Sequence, residues 1–483
     1  MDSILKRLTT SGIAFQASSL LAGLLALFTL PLYTRSLTAA EFGYAETLLT
    51  LVILTSILLR AGLGEAFIRY WHEADGDDAR RHLVRTTSGL VLITSTLALA
   101  AGLLLAEPLS QLLLGTSDAT LMSAAVFGIW AFTNLEMAYA LLRVSDRRRA
   151  YLIASSVNVV LTVSLTVTLV VFLDEGARGY VLGNYVASAA VLVGLWIFVL
   201  REHVGVPRGP LLLGPLLRYG APTIPADAAV FLLNVIDRAY LLRADSPTAA
   251  GLYSVAVKLA TAVIILVRAF QLAWPPLAYS ITDEQRARQV YARVTTAYMV
   301  VSSLLVAAFT LLGDWLVRLL TAPSFFAAND ALPWLALGWA LYGLYLVLVT
   351  IAGRAKVTVR ALPAAAAGLV VNVGLLIWLV PPLGVVGAAI SLCVAYVAML
   401  VVLFLLTRKV FTVPFEWRKI VPLVVIVTVL SVGGNQLLAS DGIGGLLERS
   451  LVLVAIAGAL IVARVVTVGE LQTLRYSLRP PRL

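Results

Sequence analysis

Long apolar runs separated by short polar breaks follow one another from residue 11 to residue 467. About 20 apolar residues in a helix cross the ~30 Å hydrocarbon core of a bilayer. Read this way, the chain holds fourteen membrane segments, at 11–33, 42–67, 86–106, 119–142, 151–173, 179–200, 217–241, 250–278, 291–312, 328–353, 361–380, 383–406, 418–438 and 447–467. The pattern predicts an all-α polytopic membrane protein. Tight turns such as "DEGARG" (174–179) and "PPLG" (381–384) join the closest pairs. One segment is unusual. The run 42–67 carries Arg60 in its inner half, within "SILLRAGLGEAF". A cation at that depth costs on the order of 2.5–3.5 kcal/mol, so a retained arginine needs water or a partner.

The basic residues report orientation. Of the 36 Lys and Arg, 27 fall in alternate polar segments that share a side with the N-terminus, from Lys6 and Arg7 to Arg482. Five fall in the intervening segments, at Arg35, Arg178, Arg243, Arg318 and Arg449. Arg60, Arg238, Lys258 and Arg268 lie within helices. Cytoplasmic loops carry the Lys/Arg excess, so both termini are expected in the cytoplasm. Composition agrees with a membrane protein. Hydrophobic residues make up 60% and charged residues 13%, against about 25% charged in soluble domains. The net charge of +10 is thereby a topology signal, and no nucleic-acid partner is expected. The single cysteine, Cys393, excludes an intramolecular disulfide. The first apolar run is too long for a signal-peptide core and reads as a membrane helix. There is no Walker loop. His72, His82 and His203 lack metal-ligand spacing. No metal, cofactor or enzymatic activity is expected.

An internal repeat emerges at an offset of 208 residues. It carries Arg35 onto Arg243, Gly43 onto Gly251, Arg60 onto Arg268 and Arg85 onto Arg293. The offset spans six helices, an even number, so both halves enter the membrane in the same sense. Parallel repeats of this kind hold substrate between halves that rock to give alternating access. The predicted organisation is an N-lobe at 1–205, a C-lobe at 206–410, and a terminal helix pair with a cytoplasmic tail at 411–483. Arg60 and Arg268 would then face one wet cavity from opposite lobes.

Several stretches carry a resemblance: "LPLYTRSLTAAEFGYAE" (30–46), "IRYW" (68–71), "RYGAPTIP" (218–225), "NVIDRAYLL" (234–242), "AGLYSVAVKLA" (250–260), "AFQLAWPPLAYS" (269–280) and "LALGWALYGLY" (335–345). In order and spacing these resemble bacterial polysaccharide flippases of the Wzx type, within the multidrug/oligosaccharidyl-lipid/polysaccharide exporter superfamily. The resemblance implies two six-helix lobes plus a terminal pair around a V-shaped cavity. It implies a polyprenyl-pyrophosphate-linked oligosaccharide as substrate, moved from the cytoplasmic to the outer leaflet of the inner membrane with H+ or Na+ coupling. The chain departs from the family pattern at Arg268, where small or polar residues are more usual.

The candidate site residues follow. Arg60 and Arg268 suit pyrophosphate, because a guanidinium forks two bonds to one phosphate and stays charged. The structural alternatives pair Arg60 with Glu65 and Arg268 with Asp283. Lys258 and Arg238 join them as candidate substrate contacts, with Arg238 alternatively reaching outer headgroups. Asp237 is either a proton carrier or an ion-pair partner of Lys258. Glu65 and Arg69 are spaced to pair on one helix. Glu46 reads as a carboxylate at the start of helix two, favoured by the dipole. Asn158, Asn234 and Asn372 read as interhelical hydrogen bonders. Pro222 and Pro225 mark a hinge or cap in helix seven, and Pro275 and Pro276 close helix eight. Trp71, Trp274, Trp315, Trp334 and Trp417 read as interfacial anchors.

The sequence thus predicts a monomeric inner-membrane flippase for an undecaprenyl-pyrophosphate-linked oligosaccharide. Membrane lipids and polysaccharide polymerases or glycosyltransferases are its candidate partners. A multidrug antiporter of the same superfamily, a peptidoglycan-precursor flippase and a membrane oligosaccharide ligase are the alternatives. A cavity richer in cations than carboxylates argues against a cationic-drug exporter, and the lack of a long outer loop argues against the ligase.

Overall fold

The computed structural model describes residues 23–201, 213–221, 224–233 and 235–466, and no strand occurs among them. In chain order the α-helices are α1 (23–36), α2 (Ala39–Leu59), α3 (Leu63–Glu73), α4 (Gly76–Leu104), α5 (Ala106–Leu114), α6 (Ala119–Val144), α7 (Arg148–Val167), α8 (Gly176–Gly194), α9 (Leu213–Gly220), α10 (Ile224–Leu233), α11 (Ile236–Ala244), α12 (Pro247–Leu259), α13 (Thr261–Ser280), α14 (Glu284–Leu320), α15 (Leu332–Arg354), α16 (Ala361–Thr407), α17 (Trp417–Leu437) and α18 (Gly442–Val462). Single π-helical turns extend α7 to Phe172 and α8 to Val199.

Eleven helices among the described residues are long and apolar enough to cross a membrane. The difference from fourteen has local causes. Segments 361–380 and 383–406 are two helices that share the label α16 and meet at a kink at Gly384, whose φ of 52° and ψ of −126° are non-helical, just after Pro381 and Pro382. Much of segment 11–33 lies outside the described residues. Segment 217–241 is divided among α9, α10 and α11. Pro222, half of the expected hinge, and Asn234 lie outside the described residues, while Pro225 is the second residue of α10.

Segment 42–67 is also not one helix. Ala61 (φ +48°) and Gly62 (φ +69°) turn left-handed and separate α2 from α3. A Cβ at Gly62 would lie 2.0 Å from the Gly220 carbonyl oxygen, so only glycine lets α3 approach α9 here. The start of α2 follows local chemistry. Thr38 and Glu41 form a capping box, with the Glu41 amide donating to Thr38 Oγ1 and the Thr38 amide donating to Glu41 Oε2.

The chain forms two compact units, residues up to Val255 with Leu375–Ala388, and Ala256–Gly374 with Ala389 onward. In the first, α6 packs on α2, α4 and α8. Its core joins Leu63, Phe67, Leu83, Val91, Leu135 and Leu192. In the second, α14 packs on α15, α17 and α18, around Ala307, Leu311, Leu423, Val427 and Ile456. Many large apolar side chains remain exposed, including Phe172, Phe198, Trp378 and Val462, as expected where helices meet lipid rather than water. Trp417 is exposed, whereas Trp71 and Trp274 are buried. Phe67 edges against Trp71, and Phe270 and Tyr291 flank Trp274. These two tryptophans are core residues, not interfacial anchors. Pro275 and Pro276 lie inside α13, short of its end.

Candidate functional site

Arg60 occupies the C-terminal cap of α2. The helix break at Ala61 brings its cation to the negative end of the helix dipole, which favours it. Its Nε donates to the Ser56 carbonyl at 3.2 Å, and its Nη1 stands 3.8 Å from Glu136 Oε2 on α6. The two side chains are 22% and 25% exposed, so protein covers the guanidinium only in part. Its acidic neighbour is Glu136, not the expected Glu65, which is exposed on α3 beyond the break. Arg69 likewise bonds Glu73 at 3.2 Å in place of Glu65. The Tyr219 ring, 4.5 Å below the Arg69 guanidinium, draws that side chain aside.

Deeper in the first unit lies a network that sequence spacing does not reveal. Glu46 is the eighth residue of α2, well past its cap, and is 4% exposed. Tyr180 on α8 donates its hydroxyl to Glu46 Oε1 at 2.8 Å. Arg238 on α11, 8% exposed, brings Nη1 within 3.6 Å of Glu46 Oε2. Glu46 is therefore a buried ion-pair partner rather than a helix-start carboxylate, and Arg238 is held inward rather than toward outer headgroups. The adjacent Asp237 is fully buried and accepts a 2.6 Å bond from the Tyr253 hydroxyl on α12. Charges survive in such surroundings only when paired and hydrogen-bonded. No signal in the sequence joins Glu46 to Tyr180, 134 positions apart.

The same region contains a symmetric contact. A Cβ at Gly43 would lie 2.0 Å from Pro247 O and 2.8 Å from Gly251 N. A Cβ at Gly251 would lie 1.9 Å from Ala39 O and 3.2 Å from Gly43 N. Ala39 and Pro247, like Gly43 and Gly251, are related by the 208-residue offset. Each glycine thus meets the repeat mate of the residue that the other glycine meets.

In the second unit Arg268 is exposed on α13, its Nη1 3.4 Å from Gln271 Oε1. Its expected partner Asp283 instead caps α14, accepting from the Arg286 amide at 2.6 Å. Lys258 is half-buried near the end of α12. Arg449, expected in an outer segment, is 1% exposed inside α18. It donates to Asn435 Oδ1 at 2.9 Å, to the Leu311 carbonyl at 3.1 Å and to Asp314 Oδ2 at 3.3 Å. Asn329 Nδ2 donates to the other oxygen of Asp314 at 2.8 Å. Beside this cluster a cavity of about 600 Å³ runs between α14, α15 and α17. Asp330 stands at its edge.

Interhelical amides occur, but Asn134 supplies the clearest one, donating to Ser95 Oγ at 2.9 Å across α4 and α6. Asn372 is buried in α16. Among the described residues, no three His, Cys, Asp or Glu side chains converge as a metal site.

Comparison with known proteins adds a second kind of observation. The family described as polysaccharide biosynthesis protein matches residues 9–282. A protein of Escherichia coli (strain K12) named lipid III flippase is 26% identical over 399 residues, covering 79% of this chain and 91% of that protein. Its Shigella flexneri counterpart matches equally. The fold is similar to that of the lipid II flippase MurJ in an inward closed conformation, with a TM-score of 0.75 at 13% identity, over 93% of this chain and 99% of the other. It is also similar to an inward-facing multidrug resistance MATE transporter of the MOP superfamily, with a TM-score of 0.66 at 16% identity, over 82% of this chain and 94% of the other. At these identities the structural likenesses concern the fold.

Proposed function

The chain belongs to the polysaccharide biosynthesis protein family, and from that membership we propose that it flips a polyprenyl-pyrophosphate-linked oligosaccharide across the bacterial inner membrane. The observation that carries the proposal is the alignment over 91% of a relative named lipid III flippase, on a chain with eleven apolar spans among its described residues. The substrate joins a long apolar chain to a doubly charged pyrophosphate and a polar sugar. Moving it needs an anion-binding surface that water can reach and lipid cannot.

We assign Arg60, Arg268 and Lys258 to that role. Support for Arg60 comes from its helix break and Glu136, which hold it in place while leaving it partly uncovered by protein. Arg238 acts at one remove, by holding Glu46 and α11 together. The reciprocal Gly43–Gly251 contact supports the parallel-repeat reading, since residues exchanged by a two-fold rotation touch only beside its axis. Two lobes at 1–205 and 206–410, a terminal pair at 411–483, fourteen spans in all and cytoplasmic termini complete the proposed plan. Asp237 is the proposed coupling group: its protonation as the cavity opens outward ties movement of the substrate to the H+ gradient, and loss of the charge in Asp237→Asn abolishes that coupling.

Deleting the gene tests the function. The proposal expects the lipid-linked oligosaccharide to accumulate on the cytoplasmic leaflet. An unchanged leaflet distribution, with normal export of the finished polysaccharide, would overturn it.

A further inference from the structure

We propose that the cavity between α14, α15 and α17 is a binding site for one phospholipid whose headgroup carries a primary ammonium, as in phosphatidylethanolamine. This site is separate from the residues assigned to transport and does not rest on the flippase reading.

The cavity is elongated and amphipathic. Its lining runs from Tyr298 to Thr310 on α14 and from Val424 to Gln436 on α17. Twelve residues of helix rise about 18 Å, so the site is long and narrow. One end is apolar, with Met299, Leu344 and Val424. The other gathers Asn329, Asp330, Asn435 and Gln436. At about 600 Å³ it lies within the range of ligand pockets, roughly 300–1,000 Å³. Its walls are helices apolar enough to span a bilayer, where lipids are the abundant amphiphiles.

The polar end selects among headgroups. Asp314 and Asp330 outweigh Arg449, and Arg449 is already held by Asp314, Asn435 and main-chain carbonyls. An added anion meets repulsion there, and an ammonium meets a carboxylate. Asp330 is the acceptor in reach at that end: it is exposed and lines the cavity, and an ammonium brings it a charge-assisted N–H donor.

Native mass spectrometry on the full-length protein in detergent tests the site. The protein is offered phosphatidylethanolamine and phosphatidylglycerol with identical acyl chains. Retention of phosphatidylethanolamine should exceed that of phosphatidylglycerol about tenfold, the size a charge-assisted hydrogen bond supports. Asp330→Asn should bring the two lipids to parity without changing the melting temperature, because the side chain is exposed at the cavity edge. Leu341→Trp, which fills the apolar shaft, should lower phosphatidylethanolamine retention with Asp330 intact. Dodecylammonium should compete with the lipid. Equal retention by the unaltered protein, or a preference that survives Asp330→Asn, would overturn the proposal. Dodecylammonium binding without phosphatidylethanolamine retention would overturn the phospholipid assignment in favour of a single-chain ammonium amphiphile.

Discussion

Glu46 and Arg238 each fail alone in an apolar interior, and this mutual dependence is measurable. Removing one partner of a buried pair leaves an uncompensated charge and costs about 3–5 kcal/mol, whereas replacing both with apolar groups is often close to neutral. Arg238→Met and Glu46→Leu should each lower the melting temperature sharply, and the double variant should recover most of the loss. Equal or greater loss in the double variant would mean that the two side chains are not energetically coupled. The sequence showed which residues were charged and roughly how deep they lay. It did not show partners, because Glu46, Tyr180 and Arg238 meet only through the packing of α2, α8 and α11. Arg449 was misplaced for a related reason: its position close to the start of an apolar run resembles a loop, yet α18 begins seven residues earlier, at Gly442.

Helices were legible where apolar length marks them, and illegible where they break inside apolar sequence. The Thr38–Glu41 capping box and the Asp283 cap are local signals, but hydropathy does not register them: it starts the second segment at Phe42, and the sequence offers Asp283 only as a partner for Arg268. The break at Ala61–Gly62 is not local. It depends on Gly220 lying against Gly62 from a helix about 150 residues away in sequence. Glycine substitutions separate the two kinds of position. Gly89 on α4 has nothing within 4 Å of where a Cβ would stand, so Gly89→Ala should stabilise by about 0.5–1 kcal/mol through helix propensity. Gly43→Ala and Gly251→Ala must push α2 and α12 apart and should destabilise, each by more than Gly89→Ala gains. Thermal melting of the three variants checks this ordering. A neutral Gly43→Ala would show that the α2–α12 contact is loose.

At the scale of the molecule, the 208-residue offset and the alternating basic segments make one statement about orientation. Reporter fusions within 143–150 and in the C-terminal tail should read cytoplasmic, and fusions within 107–118 and 439–446 should read external. Two adjacent loops on one side would break the parallel repeat. The helical membrane class was legible because hydropathy survives without tertiary knowledge, and the family was legible in the order and spacing of the quoted stretches. Which residues face the substrate is not legible, since exposure to a wet cavity and exposure to lipid look alike in sequence. The most direct test of the central claim uses purified protein in liposomes that contain a polyprenyl-pyrophosphate-linked saccharide. The fraction of saccharide reachable by an external glycosidase is followed over time. The unaltered protein should speed transfer between leaflets well above empty liposomes, and Arg60→Ala and Arg268→Ala should each slow it while leaving the melting temperature near its original value. Transfer at the empty-liposome rate, with the protein folded and an ion gradient imposed, would contradict the account.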